Sequence, residues 1–381
     1  MIPGELLLDA FLNANILLSV AYLIWRCVRG LMARTGMEQA YGSQLKILNS
    51  VFLLIIFSPL IIHAYLSLKN VGFTINVNFN LSDMVVSHYL NGGFEMKASD
   101  LEGLIRMRDT FMLNVVNGDG WIAQIVIAVF SVGFILGVTR LFYSIKCLRG
   151  IVKKSYKWRS FGRIRIQLSD RTLVPFSTRG LRCYYVVLPS HMLAQSHELR
   201  VSIAHELQHI RQGDLEWEIF LEALKPLFFL NPFFHAWKRQ IEDLREFNCD
   251  SKVLNRGVID VKTYCETLLS VCQNTLRRDR AFVIAVPKVT LVTANRSLAR
   301  QGKLGLLEHR ILSALDLRPI KRQKFMFVMT TLPLAVVLLI TTICVQRSGD
   351  WSQDRLMLST VVNLERLDEI NRLSTFGRIR N

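Results

Sequence analysis

Two histidines four residues apart, with a glutamate directly after the first, lie in the run Ser202-Ile203-Ala204-His205-Glu206-Leu207-Gln208-His209-Ile210. On a helix, positions four apart share one face, so both imidazoles can reach a single metal ion. Glu206 then points beside that ion, where it can take a proton from water. This H-E-x-x-H spacing is the one that zinc-dependent peptide hydrolysis uses. Average residue usage gives a chance match in roughly one chain in a hundred of this length. The chemistry needs a helix to carry it, a third protein ligand and a fourth position left open for water.

The helix is legible. Leu199, Ile203, Leu207 and Ile210 give Ser196–Gln212 an apolar stripe of helical period, and Gly213 is a natural stop. For the third ligand, Arg245-Glu246-Phe247-Asn248-Cys249-Asp250 offers Glu246, with Asp250 one turn later on the same face. Glu246 is expected to bind zinc there, and Asp250 to accept the N–H of a ligating histidine and so fix its ring. Cys249 is a competing soft ligand, but between the two carboxylates it faces elsewhere on a helix and reads as a small buried residue. His235 stands alone near these groups and is expected to be structural, since His205, His209 and Glu246 already complete a set of three.

The elements around that set are membrane-like. Of 381 residues, 51% are hydrophobic, a share that favours a membrane protein over a soluble one. Leu6–Val28, Leu45–Leu68, Trp121–Tyr143 and Phe325–Val345 are each long enough to cross a hydrocarbon core of roughly 30 Å. Acidic Glu5 and Asp9 at the first span, with Arg26 and Arg29 after it, fit an anchor rather than a cleaved signal peptide.

Charge orients the spans. Arg26, Arg29, Arg34 and Lys46 against Glu38 give +3 in and beside the first connection, residues 69–120 carry −2 and residues 146–324 carry +16. Positive connections stay in the cytoplasm, so both termini are expected outside and the zinc motif inside. The expected organisation is a membrane region over 1–145 with exterior loop 69–120, a cytoplasmic zinc protease domain over 146–324, a fourth span at 325–345 and an exterior tail at 346–381. The net charge of +17 also raises nucleic acid as a partner. No DNA-reading motif accompanies it and the charges are spread, so direct nucleic-acid binding is not expected and the lipid bilayer is the partner. None of the seven cysteines falls in the exterior loop, which argues against a disulfide framework.

Ahead of the zinc helix, Arg163–Leu168 and Arg182–Leu188 read as strands, separated by Pro175 and Gly180. Such a pair can offer an edge to an extended substrate or simply cover the helix. Residues 216–235 are apolar but contain Glu218, Glu222, Lys225, Pro226 and Pro232, which fits a broken helix rather than a fifth span. Helices are expected over Asp100–Leu113, Val261–Cys272 and Gly305–Leu315, and a strand over Val71–Phe79. Leu276–Arg280 and Ala294–Lys303 are basic and expected to be exposed. Leu356, Val361, Leu364, Leu367 and Ile370 mark an amphipathic helix in the tail.

With these residues in place the sequence resembles the BlaR/MecR antirepressor family of integral-membrane zinc peptidases. The resemblance runs from about Ile164 to Leu315. Its elements are Val187-Leu188-Pro189, His205-Glu206-Leu207-Gln208-His209 through Arg211 to Asp214, Asn231-Pro232, Glu246-Phe247-Asn248-Cys249-Asp250, and Tyr264 before Leu268-Leu269. It implies a multi-span α-helical membrane protein with four transmembrane helices and a cytoplasmic, mainly helical α+β domain of gluzincin type. It further implies Zn2+ on His205, His209 and Glu246, Glu206 as general base, a bacterial inner-membrane location and a cytoplasmic protein substrate, a DNA-binding repressor. A tail of roughly 36 residues is too short for the family's exterior sensor domain, so the signal is expected through loop 69–120, the tail, the spans or a separate sensor partner. An HtpX-like membrane quality-control protease would share the H-E-x-x-H run, Gly213-Asp214 and the Glu246/Asp250 pair, but not Asn231-Pro232. A zinc-binding relay without catalysis would not need Glu206.

Overall fold

The computed structural model describes residues 3–34, 39–70, 81–93, 96–277, 289–290, 299–316 and 353–378, with a few helical positions between 333 and 341. The strand-like Val71–Phe79, nearly all of the fourth expected span, and much of the basic stretches 276–280 and 294–303 lie outside these residues. In order, the elements are α1 (Pro3–Arg34), α2 (Tyr41–Asn70), α3 (Leu81–Leu90), α4 (Ala98–Asn117), α5 (Trp121–Lys154), β1 (Tyr156–Phe161), β2 (Ile164–Ser169), β3 (Phe176–Arg179) and β4 (Tyr184–Pro189). There follow α6 (Ser196–Gln212), α7 (Asp214–Leu224), α8 (Pro232–Leu254), α9 (Val261–Arg277), β5 (Val289–Thr290), α10 (Ala299–Leu315) and α11 (Gln353–Arg378). The mostly helical content with one small sheet agrees with the sequence reading.

Among the described residues, three helices are long and apolar enough to cross a membrane, over Leu8–Arg34, Tyr41–Leu60 and Trp121–Lys154. On the third, Trp121, Ile125, Ile135 and Leu136 are exposed, as side chains facing lipid are. The chain divides into two compact units. One comprises Met1–Ile24, Ser50–Phe130 and Thr330–Asn381, the other Trp25–Asn49 and Ser131–Met329.

In the first unit, α3, α4 and α11 enclose Val86, Ala98, Leu101, Leu358 and Val362. Lys97 precedes α4 and cannot cap it with its side chain. Glu365 of α11 does so instead, accepting from the backbone N–H groups of Ala98 at 3.1 Å and Ser99 at 3.3 Å. A carboxylate at a helix N-terminus satisfies orphan donors and suits the dipole. The tail helix is thus tied to the 69–120 segment, a pairing across more than 250 positions that periodicity does not reveal.

In the second unit the sheet runs β1-β2-β4-β3-β5, with β2 and β4 parallel and the other neighbours antiparallel. The two expected strands, β2 and β4, are therefore interior neighbours with both edges paired, so neither offers an edge to a substrate. Their residues Ile166, Val186 and Leu188 pack on the α6 stripe of Leu199, Ile203, Leu207 and Ile210. That contact holds the apolar side of α6 to the sheet and turns its histidines toward α8 and α9. Met192, Val201, Cys249, Val253, Tyr264, Leu268 and Val271 close the core behind them.

The expected broken helix is α7, a turn and α8. Asn231 starts α8 by accepting from Phe233 N at 2.9 Å and Phe234 N at 3.3 Å, with Pro232 at the first helical position. His235 reaches back to Phe229 O at 3.1 Å, a structural role as expected. The turn docks on α5. A Cβ on Gly133 would come within 2.1 Å of the Phe229 ring, and one on Gly137 within 3.0 Å of Pro226, so a side chain at either position would force its neighbour to move.

Between α7 and α8 lies a buried ionic network. Lys238 Nζ is 2.8 Å from Glu218, 3.0 Å from Glu222 and bonded to Glu242, while Arg245 is 2.7 Å from Glu218. Burial by itself would raise the Glu218 carboxyl, but Arg245 and Lys238 outweigh it and hold it at about 2. A depressed folded-state value contributes stability above the ordinary carboxylate value of 4.5, and that contribution is lost as pH falls toward 2. Denaturant unfolding in mild detergent is therefore expected to shift to lower midpoints across this window. Glu218→Gln should flatten that slope while lowering stability at neutral pH, and an unchanged slope would rule the network out as its source.

Candidate metal centre

His205, Glu206 and His209 are brought together by α6, and each is fully buried. Glu246 and Asp250 approach from α8, with 6% and 2% exposure, which excludes a solvated helix face. The Nε2 atoms of His205 and His209 face each other at 2.9 Å, with Glu246 Oε2 3.5 Å from the first and Oε1 3.6 Å from the second. His205, His209 and Glu246 thus meet at one point, while Asp250 lies on the Nδ1 side of the His205 ring.

The opposite nitrogens show why those Nε2 atoms converge. His209 Nδ1 lies 2.8 Å from Asp214 Oδ2, and a carboxylate can only accept there, so Nδ1 carries the proton. Asp214 reaches this place because Gly213 adopts φ 73°, closing α6 and opening α7 one residue later. His205 Nδ1 lies 2.9 Å from the Tyr264 hydroxyl, which donates in turn to Asp250 Oδ1. Asp250 itself stands 3.4 Å from His205, so its effect on the ring passes chiefly through Tyr264.

Arg310 of α10 closes the far side with two 2.7 Å hydrogen bonds to Asp250 and an approach of 3.1 Å to Glu246. Burial works against charge on Asp250, but Arg310, His205 and Tyr264 outweigh it and hold the carboxyl below its usual range. Sequence reasoning passed over Arg310 and assigned no role to Asp214 or Tyr264. Both of the latter stood in the stretches that carry the family resemblance, whereas Arg310 had no local signal.

Burial lowers His205 to about 3, with Asp250 opposing, so the ring is neutral at physiological pH. With both Nδ1 atoms holding a proton toward their partners, two Nε2 atoms and a carboxylate converge on one buried space. Glu246 Oε2 makes no hydrogen bond of good geometry among the described residues, although Arg310 Nη1 stands 3.1 Å from it. Such a set repels itself unless a cation lies between its members, and two imidazoles with a carboxylate are donors suited to zinc. The residues therefore fit a divalent metal.

Cys249 Sγ also lies within reach of the two histidines. It sits 3.5 Å from His205 Nδ1 and from His205 O, behind the ring rather than on the Nε2 side. Burial raises its thiol well above the usual value, which disfavours the thiolate that binds metals. Glu246 is the better-placed third donor.

Glu206 is distinct from this set. Neither of its oxygens makes a hydrogen bond of good geometry among the described residues, although Ser177 of β3 faces it and favours its ionised form. Burial pushes it up to about 8, and a cation beside it would pull it down again. A buried carboxylate of this kind can exchange a proton near neutral pH. Because Asp214 fixes the tautomer of His209, Asp214→Asn is expected to weaken affinity for a divalent cation by about 10- to 100-fold, measured by chelator competition. Retained affinity would show that the carboxylate does not set the ring.

No curated protein matches the chain. The model of the BlaR1 peptidase M56 family matches residues 9–298, which takes in the three apolar helices, the sheet and α6 to α9. The chain belongs to the BlaR1 peptidase M56 family and, as such, is a membrane-associated metallopeptidase of signal transduction.

Proposed function

We propose that the protein is a zinc endopeptidase that cuts a cytoplasmic protein, a DNA-binding transcriptional repressor, when a signal reaches it through the membrane. The observation that carries this reading is the convergence of His205 Nε2, His209 Nε2 and Glu246 in a buried space, with the buried carboxyl of Glu206 on the same helix as the histidines. His205, His209 and Glu246 would hold the zinc. When bound, zinc supplies a Lewis acid that polarises the scissile carbonyl and makes water more acidic.

The remaining work falls to side chains of this chain. Asp214 keeps the His209 proton on Nδ1, and Tyr264 does the same for His205, so both Nε2 lone pairs stay free to bind. Asp250 and Arg310 hold Tyr264 in place. Glu206 takes a proton from the attacking water and passes it to the leaving amine nitrogen. The positive balance of residues 146–324 supports a cytoplasmic position for this unit, with both termini outside. A cytoplasmic site restricts the substrate to proteins on that side, and a single regulatory target fits a signalling family better than bulk degradation.

Glu206→Gln should keep its metal and lose cleavage by about 100- to 10,000-fold, the usual contribution of a general base. New protein N-termini compared between wild-type and Glu206→Gln cells should concentrate in one or a few DNA-binding proteins. Ends scattered over many membrane proteins would instead indicate a quality-control protease. Undiminished cleavage by Glu206→Gln would overturn the mechanism. Stripping the metal with a chelator should abolish cleavage, and added Zn2+ should restore it.

A further inference from the structure

On the side of Asp214 away from the His209 ring, the start of α2 and the ends of α6 and α8 enclose a pocket of about 1060 Å3. Its charged lining is one-sided. Lys46 of α2, Arg211 of α6, and Lys252 and Arg256 at the end of α8 face a single acid, Asp214, which is already engaged with His209. These four cations are exposed and lie on three elements far apart in sequence, so no local pattern assembles them.

The neutral groups are also arranged for a ligand. Gln208 Oε1 accepts from Arg256 at 2.5 Å and fixes the direction of its guanidinium. Gln212 Oε1 accepts from Asn248, which leaves its Nε2 as a donor; that atom is buried and has no hydrogen-bond partner among the described residues. Asn49 Oδ1, across the pocket on α2, is a buried acceptor likewise without a partner. Leaving such atoms unpaired costs roughly 1–3 kcal/mol each, and both side chains line the basic pocket.

We propose that this pocket binds a phosphate group attached to a hydroxylated moiety. The arginine forks and Gln212 Nε2 suit phosphate oxygens, and a neighbouring hydroxyl would satisfy Asn49. Phosphoglycerol, whether an anionic lipid headgroup or a soluble ester, has this chemistry. The lipid source is favoured by position, because the pocket is lined by the opening turns of a helix able to cross the membrane. This site is independent of the peptidase reading, since none of its cations touches the metal donors.

The test uses the full chain in neutral detergent, titrated calorimetrically with inorganic phosphate and with glycerol 1-phosphate. In parallel, the protein is passed through phosphatidylcholine vesicles with and without phosphatidylglycerol, and retained lipid is counted by native mass spectrometry. Two charge-removing variants are compared, Arg211→Gln with Lys252→Gln and, on a different helix, Lys46→Gln. Saturable one-to-one binding that weakens about tenfold or more in the double variant is the expected result. Retention of phosphatidylglycerol with weak binding of the soluble probes assigns a lipid headgroup. Tight binding of glycerol 1-phosphate without preferential lipid retention assigns a soluble ester. The proposal is overturned if no probe binds saturably, or if both variants bind every probe as the wild type does. Unchanged metal content in the variants keeps this outcome separate from any failure of the peptidase reading.

Discussion

Two imidazoles held with their Nε2 atoms 2.9 Å apart in a fully buried space are the constraint that the second unit is built around. Left alone the arrangement is repulsive, and solvent cannot relieve it. Each ring is therefore locked from behind, His209 by Asp214 and His205 by Tyr264, so that neither can rotate away or change tautomer. Tyr264 depends on Asp250, and Asp250 on Arg310. Five elements, α6, α7, α8, α9 and α10, thus contribute to the placement of two nitrogen atoms. Donors already paired with their orienting groups are set in place for a cation.

The same logic explains why so many charges are buried here. Glu218, Lys238 and Arg245 form a second network between α7 and α8, and α8 is also the helix that carries Glu246. A buried charge stripped of its partner is costly, so such a network tolerates few alternative packings. It fixes the rotation of α8 about its axis, which decides whether Glu246 or Cys249 faces the histidine Nε2 atoms. Structure at the α7–α8 pair and chemistry at the metal centre are thereby linked through one helix.

The peptidase unit also incorporates parts of helices long enough to cross a membrane. The turn between α7 and α8 rests on α5 at Gly133 and Gly137, Arg29 of α1 donates to Gln240 of α8 at 2.5 Å, and Tyr41 of α2 stacks on Phe247 at 5.0 Å. Phe247 directly follows Glu246. Three membrane-type helices therefore touch the helix bearing the carboxylate donor or the turn that leads into it.

Local rules recovered what is locally encoded. Helical period and a stop glycine placed α6 at Ser196–Gln212, runs of apolar residues marked α1, α2 and α5, and the four-residue spacing of His205 and His209 placed both rings on one face. These features depend only on a residue and neighbours within a turn or two, so the sequence by itself determined them. The short strands β1 and β3 escaped notice because four to six mixed residues carry no clear alternation, and they form only by pairing with strands already in place. The rest was decided by tertiary structure. Asp214 became the partner of His209 only through the left-handed turn at Gly213, and Arg310 reached Asp250 from 60 positions away. The interior position of β2 and β4 likewise followed from strands on either side of them. The physical reason is range: periodicity reports which face a residue occupies, whereas hydrogen bonds at 2.7–2.9 Å depend on how separate faces are brought together.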